Sequence, residues 1–96
     1  MKYRIENLDS AQYLNMVNQE ENPSGDKLDI HYYKIGDNYI VFASTAFGKF
    51  MSPLYHPSPD STEAELEKVL EEDTEAIKQK YTAISDKQIA PKLLTF

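Results

Sequence analysis

Cysteine is absent from this chain, which removes disulfides, thiolate catalysis and cysteine metal sites together and disfavours a small bridged secreted scaffold. No run of about 18 apolar residues exists to span a bilayer, and the start Met1-Lys2-Tyr3-Arg4 lacks the apolar stretch of a signal peptide. A cytoplasmic protein without a membrane partner is the expectation. Basic residues are also few: ten Lys and Arg stand against sixteen Asp and Glu, and the pI is near 4.8. Nucleic-acid affinity rests chiefly on cations that neutralise phosphates, so direct nucleic-acid binding is disfavoured and a basic protein surface is the natural complement.

What is present suits one small domain spanning residues 1–96, since 41% hydrophobic residues and eleven aromatics (seven Tyr, four Phe) can build one core but not two. The opening KYRIEN alternates Tyr3 and Ile5 with charged residues, the period of a half-buried strand. Asp9 or Ser10 can cap a helix carrying Ala11, Leu14 and Val17 at helical spacing and running to about Glu21. Asn22-Pro23-Ser24-Gly25-Asp26 then breaks it. Between Lys27 and Thr45, two β-branched and aromatic runs flank Gly36-Asp37-Asn38, the chemistry of a tight hairpin. The next fourteen or so residues, Ala46 to Pro59, hold Phe47, Phe50, Met51, Leu54 and Tyr55. That connection either folds over the end of the sheet, as another short strand, or offers an apolar surface to a partner.

The longest periodic stretch, Asp60 to Ile84, is a helix by pattern, with Thr62 and Glu65 in capping-box spacing. Leu66, Val69, Leu70, Ala76, Ile77, Tyr81 and Ile84 fall in one stripe on a helical wheel, and Asp73 and Lys80 interrupt it. Beyond Ser85-Asp86, the tail KQIAPKLLTF reads as a last strand or docked extension, with Pro91 favouring an edge. The expected fold is α+β, an antiparallel sheet with two helices on one face, in the order of the ferredoxin-like βαββαβ arrangement.

Known chemistries find little to hold. The STAFGKF segment has a Gly-Lys pair after a strand, but a phosphate loop would need Gly where Ala43 stands and Ser or Thr where Phe50 stands. Asp29, His31, His56 and Asp60 form a poor metal set, without cysteines or a helical His pair. No catalytic residue, metal or cofactor is expected, and the chain reads as a non-enzyme. Asp73 is the one carboxylate the wheel places in an apolar setting, where it reads as a buried residue with a partner such as Lys80 or a Tyr, as a fray in the pattern, or as a functional acid.

Charge is concentrated instead. Eight acids lie between Asp60 and Glu75 against Lys68 alone, a local net of −7 in a chain whose total is −6. Glu63, Glu67, Glu71 and Glu75 form an uninterrupted i+4 row, and like charges at that spacing destabilise a helix by roughly 0.2–0.5 kcal/mol per pair. A helix tuned for stability alone would alternate signs. The density, about one charge per 3.4 Å of axis, is half that of duplex DNA, which is too sparse for full mimicry but enough for a ridge that docks in a basic groove. The expectation is therefore a small acidic protein-binding domain, an inhibitor or modulator of the anti-restriction, anti-CRISPR or toxin-immunity kind. Its contact residues would be Glu63, Glu67, Glu71, Glu72 and Glu75, with Phe47, Phe50 and Tyr55 from the loop. The alternative is a ligand-binding or dimerising regulatory domain, a homodimer in the second case, using an aromatic sheet face with Tyr33, Tyr39 and Val41.

Overall fold

A computed structural model describes residues 1–18, 28–45 and 47–94, with the last eight of these placed as helical backbone. The breaker at 22–26, the end of the first expected helix and the final Phe96 lie outside the described residues. The elements run β1 (Ile5–Leu8), α1 (Ser10–Asn18), β2 (Asp29–Ile35), β3 (Asn38–Thr45), β4 (Gly48–Met51) and α2 (Glu63–Leu94). This is an α+β domain: one four-stranded sheet in the order β1-β2-β3-β4, and two helices.

Local chemistry explains the punctuation. Asp9 Oδ1 accepts from the Gln12 amide at 2.7 Å while Gln12 Oε1 accepts from the Asp9 amide at 2.9 Å, a reciprocal cap that starts α1. The β2–β3 turn places Gly36 at φ 60, followed by Asp37 with negative φ. Positive φ at the first central residue is the pattern of the II′ turn, whose twist matches that of a hairpin. Thr62 Oγ1 accepts from the Glu65 amide at 3.2 Å and opens α2 as the capping spacing predicts.

The sheet is mixed, which corrects the expectation of an antiparallel one. β1 runs parallel to β2 with Ile5 opposite Tyr32, while β2–β3 and β3–β4 are antiparallel. A parallel pair demands a crossover, and α1 supplies it. β1 begins later than the alternation of Tyr3 and Ile5 suggests, because the first residues are drawn onto α2: the Lys2 amide donates to Glu67 Oε1, and the Tyr3 ring packs 4.6 Å from that of Tyr32.

One sheet face carries Val41, Ala43 and Phe50 into a cluster with Leu66, Leu70 and Ile77 of α2, with Ile5, Ile30, Tyr32, Tyr39 and Tyr55 packed around it. The other holds Ile40 and Phe42, also buried, beside Tyr33 and His31. Lys49 alternates with Phe50 and therefore points to this second face, where its Nζ donates to the carbonyls of Met16 and Val17 at the end of α1. The two helices thus lie on opposite faces, not on one. Burial of both faces fits the continuous apolar run Ile40–Ala43 in the middle of β3, where all four residues are buried.

The ferredoxin-like order is only loosely matched. Its sixth element, a strand in the tail, is replaced by continuation of α2 through Pro91 to Leu94. Ser85-Asp86 does not stop a helix already propagating into Lys87, Gln88 and Ala90, all favourable helix formers. The fourth strand comes instead from the 46–59 connection, which covers the sheet as one of its two expected roles. α2 has 32 residues, about 48 Å of axis, and dominates the 56 Å long dimension of the molecule.

Candidate functional site

α2 has four sides in the fold: one packs inward without a carboxylate, and the other three treat their carboxylates differently. The inward side is fixed by Leu66, Leu70 and Ile77, with Leu70 only 1% exposed. Thr74 joins them, which the apolar wheel missed because a hydroxyl does not score as core. Its Oγ1 donates to the Leu70 carbonyl at 2.7 Å and lies 3.0 Å from the Tyr32 hydroxyl, which is then the donor to Thr74. Buried Thr74 and half-buried Tyr32 thus satisfy each other and tie the helix to β2. Ala76, placed in the stripe by the wheel, is exposed.

The flank toward the start of the chain bears Glu63, Glu67 and Glu71. The Met1 ammonium sits 2.8 Å from Glu63 Oε1, the Lys2 amide donates to Glu67 Oε1 at 3.1 Å, and Lys2 Nζ reaches Glu71 Oε2 at 3.5 Å. The hydrogen bond and charge of Glu63 raise the Met1 ammonium above its ordinary 8.0, and the charge of Glu71, with Tyr3 second, raises Lys2 above its ordinary 10.5. Glu75 continues the row with Lys78 at 3.8 Å. The like-charge row is therefore interleaved with cations and donors that sequence spacing alone could not place beside it, since 65 residues separate Lys2 from Glu67.

The outward side presents Glu65, Glu72 and Glu75, all exposed, together with Lys68 and Gln79. A shallow depression of about 530 Å³ among Lys68, Glu71, Glu72, Glu75, Ala76 and Gln79 lies here. All six residues belong to one convex helix, so this is open surface between side chains and not an enclosed cavity.

The fourth side faces β4. Here Phe50, Met51, Ser52 and Pro53 meet Asp73, Ala76, Ile77 and Lys80 around a cleft of about 130 Å³. Lys80 is exposed, with Nζ 5.2 Å from the centroid of the Phe50 ring. Asp73 is half-buried, and among the described residues neither a cation nor a hydrogen-bond donor pairs with its carboxylate. Burial, and secondarily the charge of Glu72, pushes its pKa above the ordinary 3.8. The partner expected for it, Lys80 or a tyrosine, is not there.

Of the loop aromatics, Phe50 is buried in the core and is not a surface contact. Tyr55 exchanges two backbone hydrogen bonds of 2.8 Å with Tyr39 and packs against the same core, which also removes it from an open surface. Phe47 is 40% exposed, its ring 5.6 Å from that of Tyr81. The aromatic sheet face does not exist as one surface: Tyr39 and fully buried Val41 point toward α2, whereas Tyr33 points to the opposite face beside Phe42. His31 stacks on Tyr33, and His56 Nδ1 lies 3.1 Å from Asn38 Oδ1, so the candidate metal residues are dispersed. No cluster of three or more possible metal ligands occurs among the described residues. Nor is any described helix long and apolar enough to cross a membrane.

Comparison with protein-family models, with curated proteins and with solved structures gives no match for this chain.

Proposed function

We propose that this is a non-enzymatic protein-binding domain that applies the outward acidic side of α2 to a basic surface of a partner protein. The carrying observation is that Glu65, Glu72 and Glu75 are exposed on α2, on a side that faces away from the core cluster of the described residues. Glu63 and Glu67 support this side without leading it, since residues 1 and 2 already engage them. Electrostatic steering by such a side raises association rates and is weakened by salt. A partner that itself handles nucleic acid carries the required basic groove, and occupying that groove would inhibit or modulate it.

Affinity capture from the native host at low salt, followed by mass spectrometry, tests the reading, with the Glu65→Gln/Glu72→Gln/Glu75→Gln variant run in parallel. A basic-surfaced protein should be retained by the wild type, released by salt and lost by the variant. Undiminished retention by the variant, insensitive to salt, would overturn the proposal.

A further inference from the structure

At the β2–β3 hairpin end of the sheet, Lys34, Asp37 and Tyr39 line a pocket of about 280 Å³ together with His56, Pro57 and Pro59. The ladder fixes its first wall. Lys34 stands opposite Tyr39, whose amide and carbonyl both bond to Tyr55, so Lys34 and Tyr39 are a pair without hydrogen bonds between them, the kind whose side chains lie closer. The pair points to the α2 face, as Tyr39 does, and Lys34 Nζ lies 5.6 Å from the centroid of the Tyr39 ring. The second wall, residues 56–59, is held to the hairpin by the Tyr39–Tyr55 bridge and by His56, whose Nδ1 lies 3.1 Å from Asn38 Oδ1. The described residues that adjoin the rest of the chain lie at or beyond the opposite end of the sheet: Asp29 pairs with Ser44, Lys49 pairs with Ser44 and reaches the end of α1, and α2 runs that way, with Tyr81 beside Phe47.

Of the lysines whose side chains are described, Lys34 and Lys49 are the half-buried ones. Lys49 has carbonyl acceptors at the end of α1. Among the described residues Lys34 has no carboxylate or other acceptor, only the face of the Tyr39 ring, and the Tyr39 hydroxyl makes no hydrogen bond either. An ammonium is a donor with no acceptor capacity, and together with a phenol hydroxyl it presents two donors to whatever fills the pocket. We propose that this pocket binds a small monocarboxylate, with its carboxylate against Lys34 and the Tyr39 hydroxyl and its single ring or short apolar chain against Pro57 and Pro59. Charge selects the class of anion. One lysine neutralises one negative charge, and Asp37, exposed at the rim, opposes a second, which favours a carboxylate over a phosphate dianion. Size limits the ligand as well, since about 280 Å³ is the share of about nine waters in the liquid and lies just below the range of pockets for drug-sized molecules. A free acid and the C-terminal carboxylate of a peptide both supply this chemistry. The pocket shares no residue with the outward side of α2, so the inference goes beyond the protein-binding reading and does not depend on it.

The probes are benzoate, benzamide, which keeps the shape and loses the charge, and phenyl phosphate, each titrated against the full chain and followed by backbone amide NMR. Benzoate should move the amides of Lys34, Asp37, Tyr39 and His56 with a Kd of about 1 mM or below, and benzamide should bind about tenfold more weakly. Lys34→Met, which keeps the stem, should remove the advantage of benzoate, and Tyr39→Phe should weaken benzoate about threefold. Asp37→Asn should narrow the preference for benzoate over phenyl phosphate. N-acetylglycylphenylalanine and its C-terminal amide separate the two sources: an acid form that binds more tightly than benzoate assigns a peptide end, and one that binds more weakly assigns a free acid. Silence of the four amides, equal binding of benzoate and benzamide, a preference for phenyl phosphate, or an undiminished benzoate advantage in Lys34→Met would each overturn the inference. The comparison of benzoate with benzamide uses the unaltered protein, so it decides even where a variant does not fold. The Glu65→Gln/Glu72→Gln/Glu75→Gln variant should bind benzoate as the wild type does, which keeps this result separate from the outward-side reading.

Discussion

The two flanks of α2 handle negative charge in opposite ways. On one, Glu63, Glu67 and Glu71 are each met by a cation or amide from residues 1 and 2, in contacts that are exposed. On the other, Asp73 is half-buried beside apolar side chains and is met by nothing comparable among the described residues. The crowded flank looked costly and is compensated, whereas the single acid is the uncompensated one. Charge count along a helix is thus a poor guide to electrostatic strain, because the cost depends on desolvation and on partners brought from elsewhere in the chain.

The comparison breaks entirely if α2 is unseated. Leu70→Ala removes the most deeply buried of the described side chains of the helix and should cost about 2–5 kcal/mol, read as a fall in the urea midpoint. Both flanks would lose their geometry together, and a loss below about 1 kcal/mol would mean that α2 is not anchored there.

Asp73→Asn sharpens the contrast from the buried side. The folded-state pKa of Asp73 lies above its unfolded value, so its contribution to stability is fully present below about 3.8 and is lost as pH rises through the folded value. At neutral pH the ionised form is therefore a liability, and the Asn variant should melt higher than the wild type. The gap should close as pH falls through that window, as thermal melts across the range would show. A variant less stable at pH 7 would reveal a partner for the carboxylate and erase the difference between the flanks.

The smallest effect belongs to the exposed flank. Glu63→Gln/Glu67→Gln/Glu71→Gln removes the charge attraction to residues 1 and 2 but also relieves the repulsion within the row, so the net change in Tm should be slight. It should depend on ionic strength more than Asp73→Asn does, because the groups are in water. Melts at low and high salt decide this.

Much of the fold was legible in residue pattern. The Gly36-Asp37 hairpin, the Asp9 cap, the Thr62 start of α2 and its Leu66, Leu70 and Ile77 stripe all follow from local chemistry. What the pattern could not carry is long-range. The face on which α1 lies is decided by a crossover and by Lys49 reaching its last carbonyls, a contact across 33 residues to Met16. The tail offered apolar residues with no period, and a helix already under way extended into them where a strand was expected. In the candidate site, the exposure of Glu72 and Glu75 was readable from the wheel. The engagement of the row by Lys2, the burial of Phe50 and the isolation of Asp73 were not, since each depends on which distant segment arrives alongside.

The clasp between residues 1 and 2 and α2 has a further consequence in loop closure. The entropy of bringing two chain segments together rises by about 0.6 kcal/mol for each doubling of their separation. A link across 65 residues, compared with a two-residue hairpin, lies five doublings away, or about 3 kcal/mol. Exposed polar contacts do not supply that alone. They form because the sheet and the Leu70 cluster have already closed the loop, so the clasp adds little to the core and instead reports that the core is in place.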